Sequence, residues 1–398
     1  MQFNRLAIVV AMCAAFSFTI GGHAQQSGDA APKAAAPPKK VERPAGPRFG
    51  VATAPAKAKG TLRIAAYNAM NLFDQVDDPA LSGEWDDMKL AVTEDRAKGL
   101  AEAIRRLDAD ILVLEEIESK EALTWFRDTY LKGLGYDHLE SLDAGYYRGV
   151  EQSVLSRFPL KNARVFLDAK LEIEGSKGDD EKGGAAAPEG SAAAPHDATK
   201  FQRSPLAVDV VCPDGYELTV YGIHHKAGGK DFDAHREAEA KKIIELAKKD
   251  MKKSGRNVVL MGDFNATPNS DVRGLYKSAK FVNGYDFRAE ADIKQQREKL
   301  SDADRDALNE KYTTHESERP IDYILMSPSF AKDAIPGSFF VLSTLYPGDA
   351  YNWKTDPHPP GYASDHRPIA IDFTPKDGDS KPKKSKDSAK PKEDASPQ

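Results

Sequence analysis

The sequence predicts an α/β fold in which two packed β-sheets are flanked by helices. Three observations lead there: many short segments with strand character, a few longer ones with helical spacing, and unusual polar residues gathered at the ends of the strand-like segments. Residues 61–67 (TLRIAAY) alternate like a strand, and 93–107 space Leu and Ile as a helix does. The run ILVL at 111–114 reads as a short, fully buried strand. Strand patterns recur at 154–155, 206–211, 218–223, 258–261, 321–326 and 369–373. Between them, 235–252 is expected to form a long amphipathic helix with Ile243, Ile244 and Leu246 on one side.

Composition sets the limits of the folded part. Residues 1–24 carry Arg5, an apolar run and small residues ending at Ala24, the pattern of a secretory signal; the mature chain is therefore expected in the periplasm or outside the cell. The apolar run is short for a membrane span, a retained N-terminal anchor being the competing reading, and no later stretch is apolar enough for one. Residues 25–59, rich in Ala, Pro and Lys, read as a disordered linker, 175–198 as a low-complexity insert, and 376–398 as a disordered charged tail. What remains, 60–375, suits one large α/β domain, expected to be monomeric. A net charge of −6 over 398 residues argues against a protein that coats nucleic acid through bulk positive charge. It leaves open an enzyme that holds a phosphate locally through a metal ion. Cys13 leaves with the signal, so Cys212 stands alone and reads as a small buried residue with nothing to activate it.

Five places put carboxylates, amides or imidazoles beside buried-looking strands: Asn68, Glu115-Glu116, His224-His225-Lys226, Asp263-Phe264-Asn265 and Asp365-His366. Asp322, inside PIDYIL, is a sixth acidic position. Charges embedded in apolar strands need partners or a metal ion, because burying them alone is costly. Hard oxygen donors such as Glu116, Asp365 and the Asn68 amide suit Mg²⁺ or Mn²⁺ better than zinc. An Asp322–His366 pair would activate water, the carboxylate fixing the tautomer and stabilising the imidazolium. His224 and the Asn265 amide would donate to phosphoryl oxygens. With no nucleophilic Ser elbow, Walker loop or GxGxxG before a helix, water is the simplest nucleophile.

Each residue also has a plainer reading. Glu116 could be a strand-end acid, and Glu115 reads as a surface one. GDFN has ordinary turn chemistry, and Asn68 or Asp365 could cap a turn. Strand alternation admits only one of His224 and His225 to a site, and His224 is preferred, with His225 or Lys226 left to pack or to steer phosphate. Arg148 is a candidate phosphate ligand or an ordinary surface arginine. Trp85 with Asp86-Asp87 is placed in a loop near the site mouth, while His315 and His358 read as solvated surface imidazoles.

Taken together, YNAMNLFD (67–74), DILVLEEIES (110–119), RGVEQSVLSRFPL (148–160), YGIHHKAGG (221–229), GDFNATP (262–268), PIDYILMS (320–327) and SDHRPI (364–369) resemble the endonuclease/exonuclease/phosphatase superfamily, the DNase I-like group. The resemblance spans essentially the whole folded part, and the motifs occur in family order. It implies a four-layer sandwich with two central mixed sheets. It also implies Asn68 and Glu116 at a metal, Asp365 supporting that side, and Asp263 and Asn265 orienting water and phosphate. Asp322 would pair with His366 as base, and His224 would contact the phosphate. Two departures stand out: Ala227 replaces the usual Ser, and the basic residue before the IDY element is displaced to Arg319, with Pro320 between.

The function expected first is an exported, metal-dependent nuclease acting on DNA or RNA. Lys226, Lys230 and Arg236 offer a partial row for successive phosphates. The same core would serve a sphingomyelinase-like or small-molecule phosphoester hydrolase. A non-catalytic binding protein that keeps the fold is the reading from another class; such a protein should have lost one of Glu116, Asp263, Asp322 or His366, and none is lost.

Overall fold

Alternation along a strand sends neighbouring side chains to opposite faces, and here both faces of each sheet are covered. The computed structural model describes residues 43–83, 86–173, 199–352 and 355–375. The segments 1–24, 175–198 and 376–398, and Trp85, lie outside the described residues. In chain order the elements are β1 (Gly46–Arg48), β2 (Leu62–Leu72), α1 (Asp87–Leu90), α2 (Glu94–Leu107), β3 (Ile111–Ile117) and α3 (Lys120–Tyr130). Next come β4 (His138–Ser141), β5 (Glu151–Ser156), β6 (Leu160–Arg164), β7 (Leu206–Val211), β8 (Glu217–His224), α4 (Asp233–Ser254) and β9 (Asn257–Asp263). The chain continues through α5 (Asp271–Ser278), β10 (Val282–Asn283), α6 (Glu290–Arg297), α7 (Asp302–Lys311) and β11 (Asp322–Met326). It ends with α8 (Phe330–Asp333), β12 (Phe340–Val341), β13 (Thr344–Tyr346) and β14 (Ile369–Phe373).

One six-stranded sheet has the order β12-β14-β2-β3-β5-β4 and the other β10-β11-β9-β8-β7-β6. Each contains one parallel pair, β2 with β3 and β8 with β9, among antiparallel neighbours. Between the sheets lie Ile64, Val113 and Val154 from the first and Val208, Val220, Val259 and Ile324 from the second. The outer face of the first sheet, with Ala65, Leu112 and Leu114, meets Leu100 and Ile104 of α2 and Leu123 and Phe126 of α3. That of the second, with Tyr221, Leu260 and Tyr323, meets Ile243 and Ala247 of α4 and Tyr276 of α5. The result is the expected four-layer sandwich of two mixed sheets flanked by helices.

The helix signals act locally as expected. Thr93 caps α2 by accepting from Arg96 N, and Asp108 closes it in the left-handed conformation. Gly255 does the same for α4. Cys212 is buried, and burial pushes its thiol up to about 12, in keeping with a structural role. Among the described residues no helix is long and apolar enough to cross a membrane.

The expected linker is corrected over its second half: residues 43–59 belong to the fold. β1 pairs antiparallel with β13, and Val51 N donates to Val341 O at 2.8 Å. Phe49 is buried beneath the Arg48 guanidinium, 4.2 Å from its ring centre, and Arg48 Nε donates to Glu310 Oε1 at 2.7 Å. Three residues with tertiary partners outweigh the disorder-prone composition around them.

Candidate active site

Parallel pairing brings two strand C-termini to the same end of each sheet. In the second sheet His224, last in β8, stands in register with Asp263, last in β9, and Asp263 with Asp322, first in β11. Three chemically active side chains thus form one row across adjacent strands. In the first sheet Asn68 of β2 is in register with Glu115 of β3. Beyond that pair both strands are irregular: Met70, Asn71 and Glu116 take positive φ values of 53°, 55° and 62°, and the register shifts on either side of Glu116. Such conformations cost on the order of 1 kcal/mol or more each and persist only where surroundings enforce them. The bulge at Glu116 breaks the two-residue alternation, so Glu115 and Glu116 both reach the side facing the second sheet.

Contacts of at most 3.7 Å then run through the site. Glu116 Oε1 lies 3.7 Å from His224 Nε2, which is 3.5 Å from Asp263 Oδ2. Asp263 Oδ2 is 3.7 Å from His366 Nε2, whose Nδ1 is 3.0 Å from both oxygens of Asp322. Asn68 Nδ2 donates to Glu116 Oε1 at 3.3 Å, and Asn71 N to Glu116 Oε2 at 3.0 Å. Ser364 Oγ donates to Asn68 O at 2.7 Å, which seats Asp365 beside this group. Asn265, at φ 45°, bonds Asp263 through its backbone N (2.7 Å) and Nδ2 (3.1 Å); Nδ2 also donates to His225 O at 3.1 Å. Its amide is therefore engaged, and its immediate effect is to orient Asp263. Arg203, buried, donates to the carbonyls of His224 and His225 at 3.3 and 2.6 Å and fixes that strand end from behind.

The electrostatics are those of a buried cluster with too much negative charge. Burial, with Asp322 close by, pushes the Asp263 carboxyl up to about 7. Burial also pushes Glu115 well above the carboxylate range, and Asp322 and Asp263 add to it. Both Glu115 oxygens lack a hydrogen-bond partner. His224, lowered by burial and by nearby Arg203, stays neutral, and its Nδ1 has no hydrogen-bond partner. For His366 burial favours the neutral ring, but the Asp322 carboxylate overrides it and holds the imidazole well above its ordinary range. For Asp365 burial favours the acid, but His315 and His366 keep it below the usual carboxylate range. Carboxylates crowded at one point, with orphaned oxygens behind them, are a donor set that a divalent cation would neutralise.

The structure brings Asn68, Glu116, His224, Asp263, Asn265, Asp322, Asp365 and His366 to one place. Arg148 is adjacent, its Nη2 donating to Asn71 Oδ1 at 3.2 Å. Lys226 turns aside: its ammonium sits 4.3 Å from the Phe232 ring centre. His225 faces the helical layer, bonded to Glu239 and to the Tyr276 hydroxyl at 3.0 Å each. Three residues differ from expectation. Glu115 is fully buried rather than a surface acid, because it precedes the bulge on the inward face. His315 lies against His366, with ring centres 4.6 Å apart, and its Nε2 is 3.4 Å from Asp365 Oδ2. His358 stacks on Tyr362 at 4.8 Å and bonds the Tyr351 hydroxyl. Ligand atoms of His315, Asp365 and His366 all lie within 4.8 Å of one another.

Fold and site together define a phosphoesterase-type sandwich of the DNase I-like class. The chain belongs to the Endonuclease/Exonuclease/phosphatase family, whose profile matches residues 90–366. Solved structures similar to it include the human nocturnin catalytic domain, 19% identical with a TM-score of 0.48, covering 80% of this chain and 96% of that one. A family protein from Bacteroides thetaiotaomicron is 17% identical with a TM-score of 0.47, covering 79% and 97%. A mannosyl-6-phosphatase from the same organism is 18% identical with a TM-score of 0.45, covering 78% and 98%. No curated protein sequence matches the chain.

Proposed function

We propose that the chain is an exported, divalent-metal-dependent phosphodiesterase whose substrate is nucleic acid. The observation that carries this reading is the series Glu116–His224–Asp263–His366–Asp322, in which Glu116 of β3 and His366, just before β14, come from the first sheet and His224, Asp263 and Asp322 from the second. Asn68, Glu116 and Asp365 would hold Mg²⁺ or Mn²⁺, which when bound offsets charge on the phosphoryl and leaving oxygens. With a bound cation opposing a second positive charge beside it, His366, its ring fixed by Asp322 at Nδ1, would stand neutral and take the proton of the attacking water at Nε2, Asp322 then stabilising the imidazolium. His224 offers one N–H to a phosphoryl oxygen, with Asn265 keeping Asp263 in place between the two histidines. Arg148, beside Asn71, meets the phosphate backbone of the substrate, and Lys226 would join it only by leaving the Phe232 ring. Export rests on the pattern of residues 1–24.

The test is a parallel assay of plasmid DNA, RNA, sphingomyelin vesicles and a soluble phosphomonoester with one preparation, together with periplasmic fractionation of cells making the full chain. Nucleic-acid cleavage well above the other activities, from an exported protein, is expected; preference for either other substrate overturns the nuclease reading. Lipid is the second reading. It rests on the same metal and histidine core serving either phosphodiester.

A further inference from the structure

The loop that carries His315 is laced to the catalytic residues at both ends. Thr314 Oγ1 accepts from the backbone N of Ile321 (3.0 Å) and of Asp322 (3.2 Å). Glu316 N donates to Asp365 O at 2.9 Å, and Arg367 N to Thr314 O at 2.7 Å. These two bonds flank a bridge that sets His315 directly opposite His366. The rings meet edge to face at 76°.

The hydrogen bonds also fix which nitrogen of His315 carries the proton. Ser317 N donates to His315 Nδ1 at 2.9 Å, so Nδ1 presents a lone pair. Ser317 Oγ lies 2.6 Å from the same nitrogen and itself accepts from Arg319 Nε at 2.7 Å, which leaves the hydroxyl hydrogen to point at Nδ1 as well. A neutral imidazole with an accepting Nδ1 carries its hydrogen on Nε2. That Nε2–H faces Asp365 Oδ2 at 3.4 Å. A protonated nitrogen is no metal ligand, so the proximity of His315, Asp365 and His366 reads as a hydrogen-bonded support rather than a three-ligand metal site.

We infer that His315 is a positioning residue: held as the Nε2–H tautomer by Ser317 and Arg319, it orients the Asp365 carboxylate by donation and the His366 ring by edge contact. It touches neither substrate nor metal. This rests on the phosphodiesterase reading for its consequence, but the tautomer and the Asp365 contact do not. A carboxylate that would hold a metal commonly takes such a supporting donor, whose loss weakens metal affinity or activity by about 10–100-fold.

The experiment compares wild type with His315→Gln, His315→Asn, His315→Ala and Ser317→Ala, all checked for an unchanged melting temperature. Glutamine can place an N–H near the Nε2 position, whereas asparagine is too short. Long-range ¹⁵N–¹H spectra of the metal-free protein are expected to show His315 protonated at Nε2 and bare at Nδ1. Calorimetric titration with Mn²⁺ is expected to show affinity about tenfold weaker in the Ala and Asn variants and restored to within about threefold in Gln. The turnover number should follow the same order, with KM nearly constant, and Ser317→Ala should fall between. A His315 protonated at Nδ1, or an Ala variant with wild-type Mn²⁺ affinity and turnover, overturns the inference; so does a Gln variant no better than Ala, the result expected of a direct metal ligand. If wild type cleaves no phosphodiester while spectra and Mn²⁺ affinities behave as stated, the functional reading fails and the placement of His315 stands.

Discussion

Replacing Asp322 by Asn removes the charge behind His366 while keeping the side chain's shape. His366 Nδ1 lies 3.0 Å from both Asp322 oxygens, so the centres of charge of carboxylate and imidazolium are about 4 Å apart. At an effective dielectric constant of about 20 that separation is worth about 4 kcal/mol of stabilisation to the imidazolium formed as water gives up its proton. At roughly 1.4 kcal/mol per decade, Asp322→Asn should lower the turnover number about a thousandfold. The fold should survive with part of the lost ion pair offset. Asp322 N still donates to Thr314 Oγ1, and loss of the carboxylate relieves Asp263 and Glu115, both of which it pushes upward. The assay is steady-state hydrolysis of a chromogenic phosphodiester with Mn²⁺ present, beside a thermal melt. A variant that still unfolds cooperatively, with turnover reduced by two to four orders of magnitude, is expected. A well-folded variant within tenfold of wild type would refute the Asp–His base.

Other outcomes follow from the same geometry. Gly262 has φ 133°, and an added Cβ would collide with the Ile223 carbonyl and the Glu115 carboxyl. Gly262→Ala should cost at least about 2 kcal/mol in denaturant unfolding and depress activity through the displaced Asp263; a wild-type midpoint would contradict this. Glu239 is fully buried and, although burial favours its acid form, His225 and His235 hold it below the usual carboxylate range. A depressed carboxyl contributes stability that is present above its unfolded value near 4.3 and is lost as pH falls through the folded one. Thermal melts should therefore decline below about pH 4 in wild type. Glu239→Ala should show a flatter decline and, having left His225 and Lys226 N without their acceptor, be about 3 kcal/mol less stable at pH 7. Parallel acid profiles for the two proteins would contradict the assignment.

Much of the site was legible because burial makes polar residues conspicuous. Asn68, His224, Asp263 and Asp322 follow or open apolar runs, and a chain that spends charge there must give it partners. The sandwich was legible for the same reason, since strands such as ILVL are apolar on both faces. Other features depend on contacts that no local pattern records. Glu115 continues the inward set of Ile111 and Val113 but, next to a second acid at a strand end, reads as a surface carboxylate, and the bulge that turns Glu116 inward beside it uses a positive φ without a glycine to announce it. The strands β1, β10 and β12 have two or three residues each, too few to show a period, and exist because a strand distant in the sequence offers its edge. His315 stands 50 residues from Asp365 in the chain and meets it only through the bonds between the 314–319 loop and the 364–367 segment. Composition likewise marked 43–59 as linker, since the Arg48–Glu310 pairing that anchors it spans 262 residues.

The most direct test strips the protein with chelator, then titrates Mn²⁺ into wild type and Glu116→Gln while following cleavage of a phosphodiester. Silent metal-free protein, wild-type activity restored by Mn²⁺, and a variant that needs far more metal and regains little are expected if one cation-holding cluster joins the two sheets' strand ends. Hydrolysis that proceeds unchanged in chelator, or a Glu116→Gln curve that overlays the wild type, would contradict it.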